Sequence, residues 1–143
     1  MEVKEVKKVK KIYDFLSKTN CFFLATVEND QPRVRPMGTL FYYENKIYFL
    51  TAKTKDVSMQ ITNNPKFELV GMDSNERWIR VCGKIFEDTR VEMQQAILDN
   101  FPHLKDVYTA GDGNLKTYYF DELKASVYSY ILTPAIDPSK VEL

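Results

Sequence analysis

The sequence predicts a mainly β chain of the α+β kind: a six-stranded antiparallel barrel, closed or split, with two or three peripheral helices. Three observations carry this expectation. Short apolar runs follow one another with polar turns between them, so successive strands can pair as antiparallel neighbours. Few helical segments intervene, which leaves little room for parallel crossovers. Aromatic residues make up 13% of the chain and suit pleated, half-buried surfaces. The 143 residues have the size of one domain, 1–143, able to bury its own core without metal or disulfide.

The elements follow in order. Over residues 2–18, Val3, Val6, Val9, Ile12, Tyr13 and Leu16 recur at spacings of three and four with lysines between them, which predicts an amphipathic helix packed on the sheet. The barrel core then spans about 21–132. Cys21 to Val27 is a buried strand ending in a polar turn, and Arg33 to Tyr43 is a second strand. Ile47 to Leu50, across the short turn Glu44-Asn45-Lys46, makes a hairpin with it. A short helix over 55–63 stops at Asn64-Pro65, because a residue before proline is pushed out of the helical region. Strands over 66–72 and 77–86 flank the turn 73–76, with Trp78, Arg80 and Cys82 on one face of the latter. A helix over 90–100, capped by Asp88 or Thr89, ends at Phe101-Pro102. A helical turn over 104–108 and the loop 109–114 follow, the Gly-Asp-Gly in the loop reading as a turn and nothing more. A short strand over 115–120 and a last strand over 125–132 complete the barrel, and the tail 133–143, with two prolines, is expected to wander over the surface.

Composition narrows the function. Twenty basic and twenty acidic residues leave no global field to draw in nucleic acid or an anionic membrane, so the lysines of the first helix read as its solvated face and any bound anion must be held locally. Cys21 and Cys82 are far apart in apolar runs and read as buried reduced thiols; with a single histidine, His103, read as a surface or loop residue, no metal site and no Ser/His/Asp triad is expected. No run is long enough to span a bilayer and the N-terminus lacks the apolar core of a signal peptide, so a cytoplasmic location is expected.

The stretch from Arg33 to Pro65 departs from a purely structural pattern. Pro36 sits inside a strand, where it cannot donate a ladder hydrogen bond and so marks an edge, a bulge or a place where something else meets the backbone. Thr51, Lys53, Thr54 and Lys55 gather hydroxyls and positive charge at a helix start, where unpaired N–H groups favour an anion. If the two strands of the hairpin pair directly, Arg35, Thr51, Thr54 and Lys55 converge on one phosphate group; the alternative makes Arg35 a sheet-surface charge and Thr54 only a helix cap.

The ordered set of motifs in this region resembles a known family. Arg35-Pro36-Met37, the strand end Tyr48-Phe49-Leu50-Thr51, Thr54-Lys55-x-Val57-x-x-Gln60-Ile61-x-x-Asn64-Pro65, Phe67-Glu68-Leu69 and Trp78-Ile79-Arg80-Val81-x-Gly83-Lys84 look like the pyridoxamine 5′-phosphate oxidase-like, FMN-binding split-barrel family, in its nitroimidazole-reductase-like branch. The resemblance covers about Cys21 to Phe86. It implies a homodimer with FMN at the subunit interface. Arg35, Lys55, Thr51 and Thr54 would hold the phosphate, the backbone at Pro36 and Met37 would lie against the flavin ring, and Trp78 and Arg80 would reach over from the partner subunit. Trp78 reads equally well as a core or interface aromatic; Gln60 could face the site or pack on its helix, and packing is the favoured reading. The implied activity is an FMN-dependent oxidoreductase acting on a small planar substrate. A non-catalytic flavin-binding or sensing protein, a haem or deazaflavin protein using the same cleft, and a cofactor-free interaction module are the alternatives. True pyridoxamine phosphate oxidases carry Ser-Arg-Lys where this chain has Lys55-Asp56-Val57, and the tail after Leu132 holds neither Arg nor His, so the resemblance extends to fold and cofactor and not to oxidation of the vitamin.

Overall fold

The structure, a computed structural model, describes residues 3–129 and 139–141. Helix α1 (Val3–Leu16) precedes strands β1 (Phe22–Glu28), β2 (Gln31–Met37), β3 (Phe41–Tyr43) and β4 (Lys46–Ala52). Helix α2 (Asp56–Asn63), strands β5 (Lys66–Met72) and β6 (Arg77–Glu87), helix α3 (Val91–Asn100), a 3-10 helix (Pro102–Asp106), and strands β7 (Leu115–Ser129) and β8 (Ser139–Val141) complete the described chain. One antiparallel sheet runs β2-β1-β5-β6-β7-β4-β3, with β8 beside β7. Its two end strands, β2 and β3, are consecutive in sequence and sit at opposite ends of the strand order, so the barrel is split between them.

That split corrects the expected hairpin. The predicted strand Arg33 to Tyr43 is two strands: β2 pairs with β1, Met37 opposite Phe22, while β3 pairs with β4, Phe41 opposite Tyr48. The intervening Gly38-Thr39-Leu40 bridges the seam. Thr39 Oγ1 accepts the Leu50 N–H at 3.2 Å and donates to the Leu50 carbonyl at 3.4 Å, so a side chain takes the place of the missing ladder bonds. Pro36 lies on an edge strand, where its missing N–H costs nothing. The two predicted strands over 115–120 and 125–132 are instead one long strand through Ser129, residues 130–132 falling outside the described residues. Part of the expected surface tail, Ser139–Val141, pairs with β7; the rest of it lies outside the described residues. With one strand divided, two merged and β8 added, the seven strand segments marked in the sequence become eight described strands, where a six-stranded barrel was expected.

β4 has apolar residues on both faces, and both are covered. Ile47 and Phe49 point into the barrel with Leu24, Phe67, Leu69, Ile79 and Val81, against which α1 packs Val9, Ile12 and Leu16. Tyr48, Leu50 and Ala52 face the other way, onto Met93, Ile97 and Leu98 of α3. Val3, expected in the apolar stripe of α1, is exposed at the first position of the helix. Cys21 and Cys82 are half-buried free thiols, where full burial was expected, and His103 is exposed on the 3-10 helix.

Two local devices hold the far end of the barrel. Neither Asp88 nor Thr89 is the N-cap of α3; Arg90 is, because the Asp88 carboxylate is drawn to other donors. It accepts the Tyr48 hydroxyl at 2.8 Å and the Arg90 guanidinium at 2.8 and 3.0 Å, and Arg90 also holds Glu44 at 2.8 Å. The Arg90 hydrogen bonds, with the Tyr48 hydroxyl adding to them, hold the Asp88 carboxyl down at about 2, against the opposing effect of burial. In β6 the register against β7 shifts between Cys82 and Lys84, and a Cβ on the intervening Gly83 would collide with the carbonyl oxygen of Asp121 and come within 2.8 Å of that of Glu122. Glu122 adopts φ 53° at this bulge.

Gly83→Ala is therefore expected to destabilise the protein by ~1–3 kcal/mol in urea unfolding, because the obstacle is backbone. Gly38→Ala, where an added Cβ meets nothing within 4 Å, is expected to stay within about 0.5 kcal/mol of the parent. Since the folded-state pKa of Asp88 lies below its unfolded value, its contribution is present above about pH 4 and is lost as the pH falls toward 2. Stability measured from pH 5 to pH 2 should fall more steeply in the parent than in Asp88→Asn, by about 2 kcal/mol; parallel curves would refute the assignment.

Candidate functional site

A cleft of about 1000 Å³ opens at the seam of the barrel. Its floor is β2 and the bridge at Gly38 and Thr39, one wall is the end of β4 at Leu50 and Thr51, and the other is the first turns of α2. Leu104 and Tyr108, from the 3-10 helix and just beyond it, close the rim. The size is that of a pocket for a large organic ligand.

The centre of the cleft is Arg35. Its Nη1 donates to the Leu24 carbonyl at 3.1 Å and to Thr26 Oγ1 at 2.7 Å, and its Nη2 donates to Gln60 Oε1 at 2.6 Å. The Thr26 hydroxyl in turn donates to the same Gln60 oxygen at 2.5 Å. Thr26 and Gln60 are both buried, on β1 and α2 respectively, so the guanidinium ties its own strand to two other elements at once. These bonds occupy three of the five N–H donors a guanidinium carries, leaving two for a ligand. Half-burial lowers the Arg35 pKa, and the nearby Asp56 charge offsets part of that; the group stays cationic at any physiological pH.

Around it the electrostatics are mixed. Arg33 is paired with Glu28 at 2.9 Å and so is largely neutralised. Lys55 is the N-cap of α2, exposed, with no side-chain cap bond, and the first N–H groups of the helix have no partner within the helix. Asp56, also on the cleft wall, opposes them. Thr51 is buried at the inner wall; Thr54 is exposed at the mouth and precedes the N-cap, so it is not the cap itself. Burial raises the Tyr108 pKa, and the Asp112 charge adds to the shift, so the phenol at the rim keeps its proton at neutral pH.

Six of the eight residues singled out from sequence, Arg35, Pro36, Met37, Thr51, Thr54 and Lys55, thus line one cleft. They meet for a different reason from the one expected: β2 and β4 do not pair, and the bridge at 38–40 carries the chain from one to the other. Trp78 and Arg80 do not join them. They lie on the outer face of the sheet, where Trp78 stacks on Tyr128 with ring centroids 4.3 Å apart and the Arg80 guanidinium sits 5.2 Å from the Trp78 ring. A shallow depression there includes Phe23, Val70 and Val34, and Val34 also lines the cleft. Sequence reasoning missed Thr26, Thr39 and Tyr108, and it read Gln60 as helix packing when that side chain also anchors Arg35. The one available signal was Thr26, a lone hydroxyl in an apolar run; nothing in the sequence brings Tyr108 to the seam.

Comparison with known proteins agrees with the fold. The family model described as pyridoxamine 5′-phosphate oxidase matches residues 9–97. Among solved structures, a NimC/NimA family protein from Clostridium acetobutylicum is 34% identical, with 97% of this chain and 94% of that one covered and a TM-score of 0.85. A pyridoxamine 5′-phosphate oxidase-related, FMN-binding protein from Nostoc punctiforme shares the fold at 15% identity, over 92% of this chain and 85% of that one, with a TM-score of 0.65. An F420 reductase does so at 17% identity, over 78% and 94%, with a TM-score of 0.55. Curated proteins give no significant match. With more than half of the chain inside the family model and a close structural relative over nearly its whole length, the protein belongs to the pyridoxamine 5′-phosphate oxidase family.

Proposed function

We propose that this chain is an FMN-binding flavoprotein that works as a homodimer and exchanges electrons with a small planar substrate. The observation that carries the reading is the fixed guanidinium of Arg35 facing a helix start across the seam cleft. The residues present fit the cofactor. A phosphate monoester calls for a forked cation, hydroxyls and free N–H groups; Arg35, Lys55, Thr51, Thr54 and the N-terminus of α2 supply them within one cleft. The extended backbone of Pro36 and Met37 with the apolar Val34 and Leu50 would flank a flat ring system. Bound there, FMN would supply hydride and single-electron chemistry. The protein's own part is to hold the phosphate, orient the ring, exclude water at Leu104, and keep a protonated Tyr108 hydroxyl at the rim.

Homodimerisation is supported by the outer face of the sheet. Phe23 pairs across the strands with Val70, Met72 pairs with Trp78, and Phe23, Val34, Val70 and Met72 are all exposed there. An apolar face of this kind usually marks an interface. Because Val34 belongs to both the face and the cleft, a second copy seated on this face would border the cofactor and bring Trp78 and Arg80 toward it. The two free thiols suit the reducing conditions of the cytoplasm, where we place the protein. A deazaflavin is the second reading, favoured only by the fold shared with the F420 reductase.

The double variant Arg35→Ala/Lys55→Ala should bind FMN at least about a hundredfold more weakly in a flavin-fluorescence titration, while a size measurement still finds the folded dimer. Unchanged affinity would put the phosphate elsewhere. Gln60→Met, which keeps the side-chain volume and removes the acceptor of Arg35, should weaken binding by about tenfold. Uptake of a deazaflavin and not of FMN would favour the second reading, and bleaching of the bound flavin by reduced nicotinamide with turnover of a nitroaromatic would favour an enzyme over a sensor.

A further inference from the structure

A groove of about 410 Å³ adjoins the cleft beyond Gln60, between α2 and the turn that joins β1 to β2. Its size falls within the range of small-ligand pockets. Asp56, Met59, Gln60 and Asn63 recur along α2 at spacings of three and four, which puts them on one face of the helix, and Glu28 and Asn29 stand opposite. Glu28, Asp56 and Gln60 line both the groove and the cleft, so the two spaces are continuous. Arg33 stands in the cleft wall beside Glu28. It precedes Arg35 by two residues on β2 and so shares its face, about 7 Å along the strand. Its ion pair with Glu28 at 2.9 Å is exposed, and pairs of that kind contribute little and exchange readily. Met59, an apolar side chain on the groove wall, is 69% exposed.

We propose that the groove receives the nucleoside monophosphate half of a dinucleotide flavin, so that FAD, which contains the phosphate and ring of FMN, is bound more tightly than FMN itself. The proposal rests on the flavin reading above and extends it from one phosphate to two. Arg35 and the start of α2 keep the first phosphate. Arg33 exchanges Glu28 for the second, because two long side chains on one face of a strand can converge on linked phosphates. The carboxylates of Glu28 and Asp56 then accept hydroxyl donors, which a ribose carries and a bare phosphate lacks. Asn29 and Asn63 offer amide donors and acceptors to the edge of a base, and the Met59 thioether suits its face. One cation, two carboxylates, amides and a soft apolar side chain are the groups that a phosphate, a sugar and a base call for in turn.

Isothermal titration calorimetry of flavin-free protein with FMN and with FAD tests this. FAD should bind at least about tenfold more tightly than FMN. Arg33→Ala should erase most of that advantage while leaving FMN affinity within about threefold of the parent. Asn63→Trp, at an exposed position on the groove wall, should do the same by filling it, and Met59→Glu, also exposed, serves if the tryptophan variant misfolds. FAD binding no tighter than FMN, or an advantage that survives in the folded Arg33→Ala and groove variants, overturns the groove assignment and leaves the FMN reading standing. With no FAD advantage, binding of oxidised nicotinamide dinucleotide to FMN-loaded parent and not to Asn63→Trp would give the groove to an electron donor and overturn the flavin assignment. Protein that binds neither flavin sinks both readings.

Discussion

The site depends on one interaction, the seating of the Arg35 guanidinium on Leu24, Thr26 and Gln60. An arginine on an edge strand would ordinarily extend into water with its rotamers free. Here two buried acceptors and a backbone carbonyl fix its plane, and the same bonds tie β2 to its neighbour β1 and to α2. The cost of ordering the side chain is met during folding, so a ligand finds the cation already aimed. Gln60 Oε1 takes two donors, one from Thr26 and one from Arg35, which orients the amide without a water.

Around that point the fold solves a topological problem. β2 and β3 are neighbours in sequence and stand at the two ends of the sheet order, so the backbone must cross the open seam between them. A crossing segment would leave Leu50 without strand partners on that side, and the Thr39 side chain supplies both a donor and an acceptor in their place. The seam is thereby held apart by a fixed distance, neither zipped nor gaping. A cleft for one ligand is what remains of the space a closed barrel would have filled with side chains.

Much of this was legible in the chain before any coordinates. The period of α1, the alternation of β5 and β6, and the stop at Asn64-Pro65 are local signals, and each element formed where its pattern placed it. Pro36 marked an edge, and the hydroxyls and lysines after β4 marked the mouth of the cleft. What could not be read was pairing. Arg33 to Tyr43 is uniformly strand-forming, and only the strand order shows that its two halves belong to opposite ends of the sheet. Asp88 looked like a cap because the donors that claim it, Tyr48 and the Arg90 side chain, are set by tertiary contact. Tyr108 reaches the cleft only because α3 packs on the outer face of β4.

That outer packing has a kinetic side. β1 with β2 and β5 with β6 are hairpins closed by tight turns, whereas β4 pairs with β7, Thr51 opposite Lys116, across most of the chain that forms α2, β5, β6 and α3. Closing so long a loop carries the larger entropy cost and gains its contacts only once the intervening strands are in place. The wall of the cleft formed by Leu50 and Thr51 thus belongs to the longest-range strand pairing among the described residues, whereas Arg35 stands on a hairpin closed by a tight turn, so the two sides of one pocket carry very different loop-closure costs.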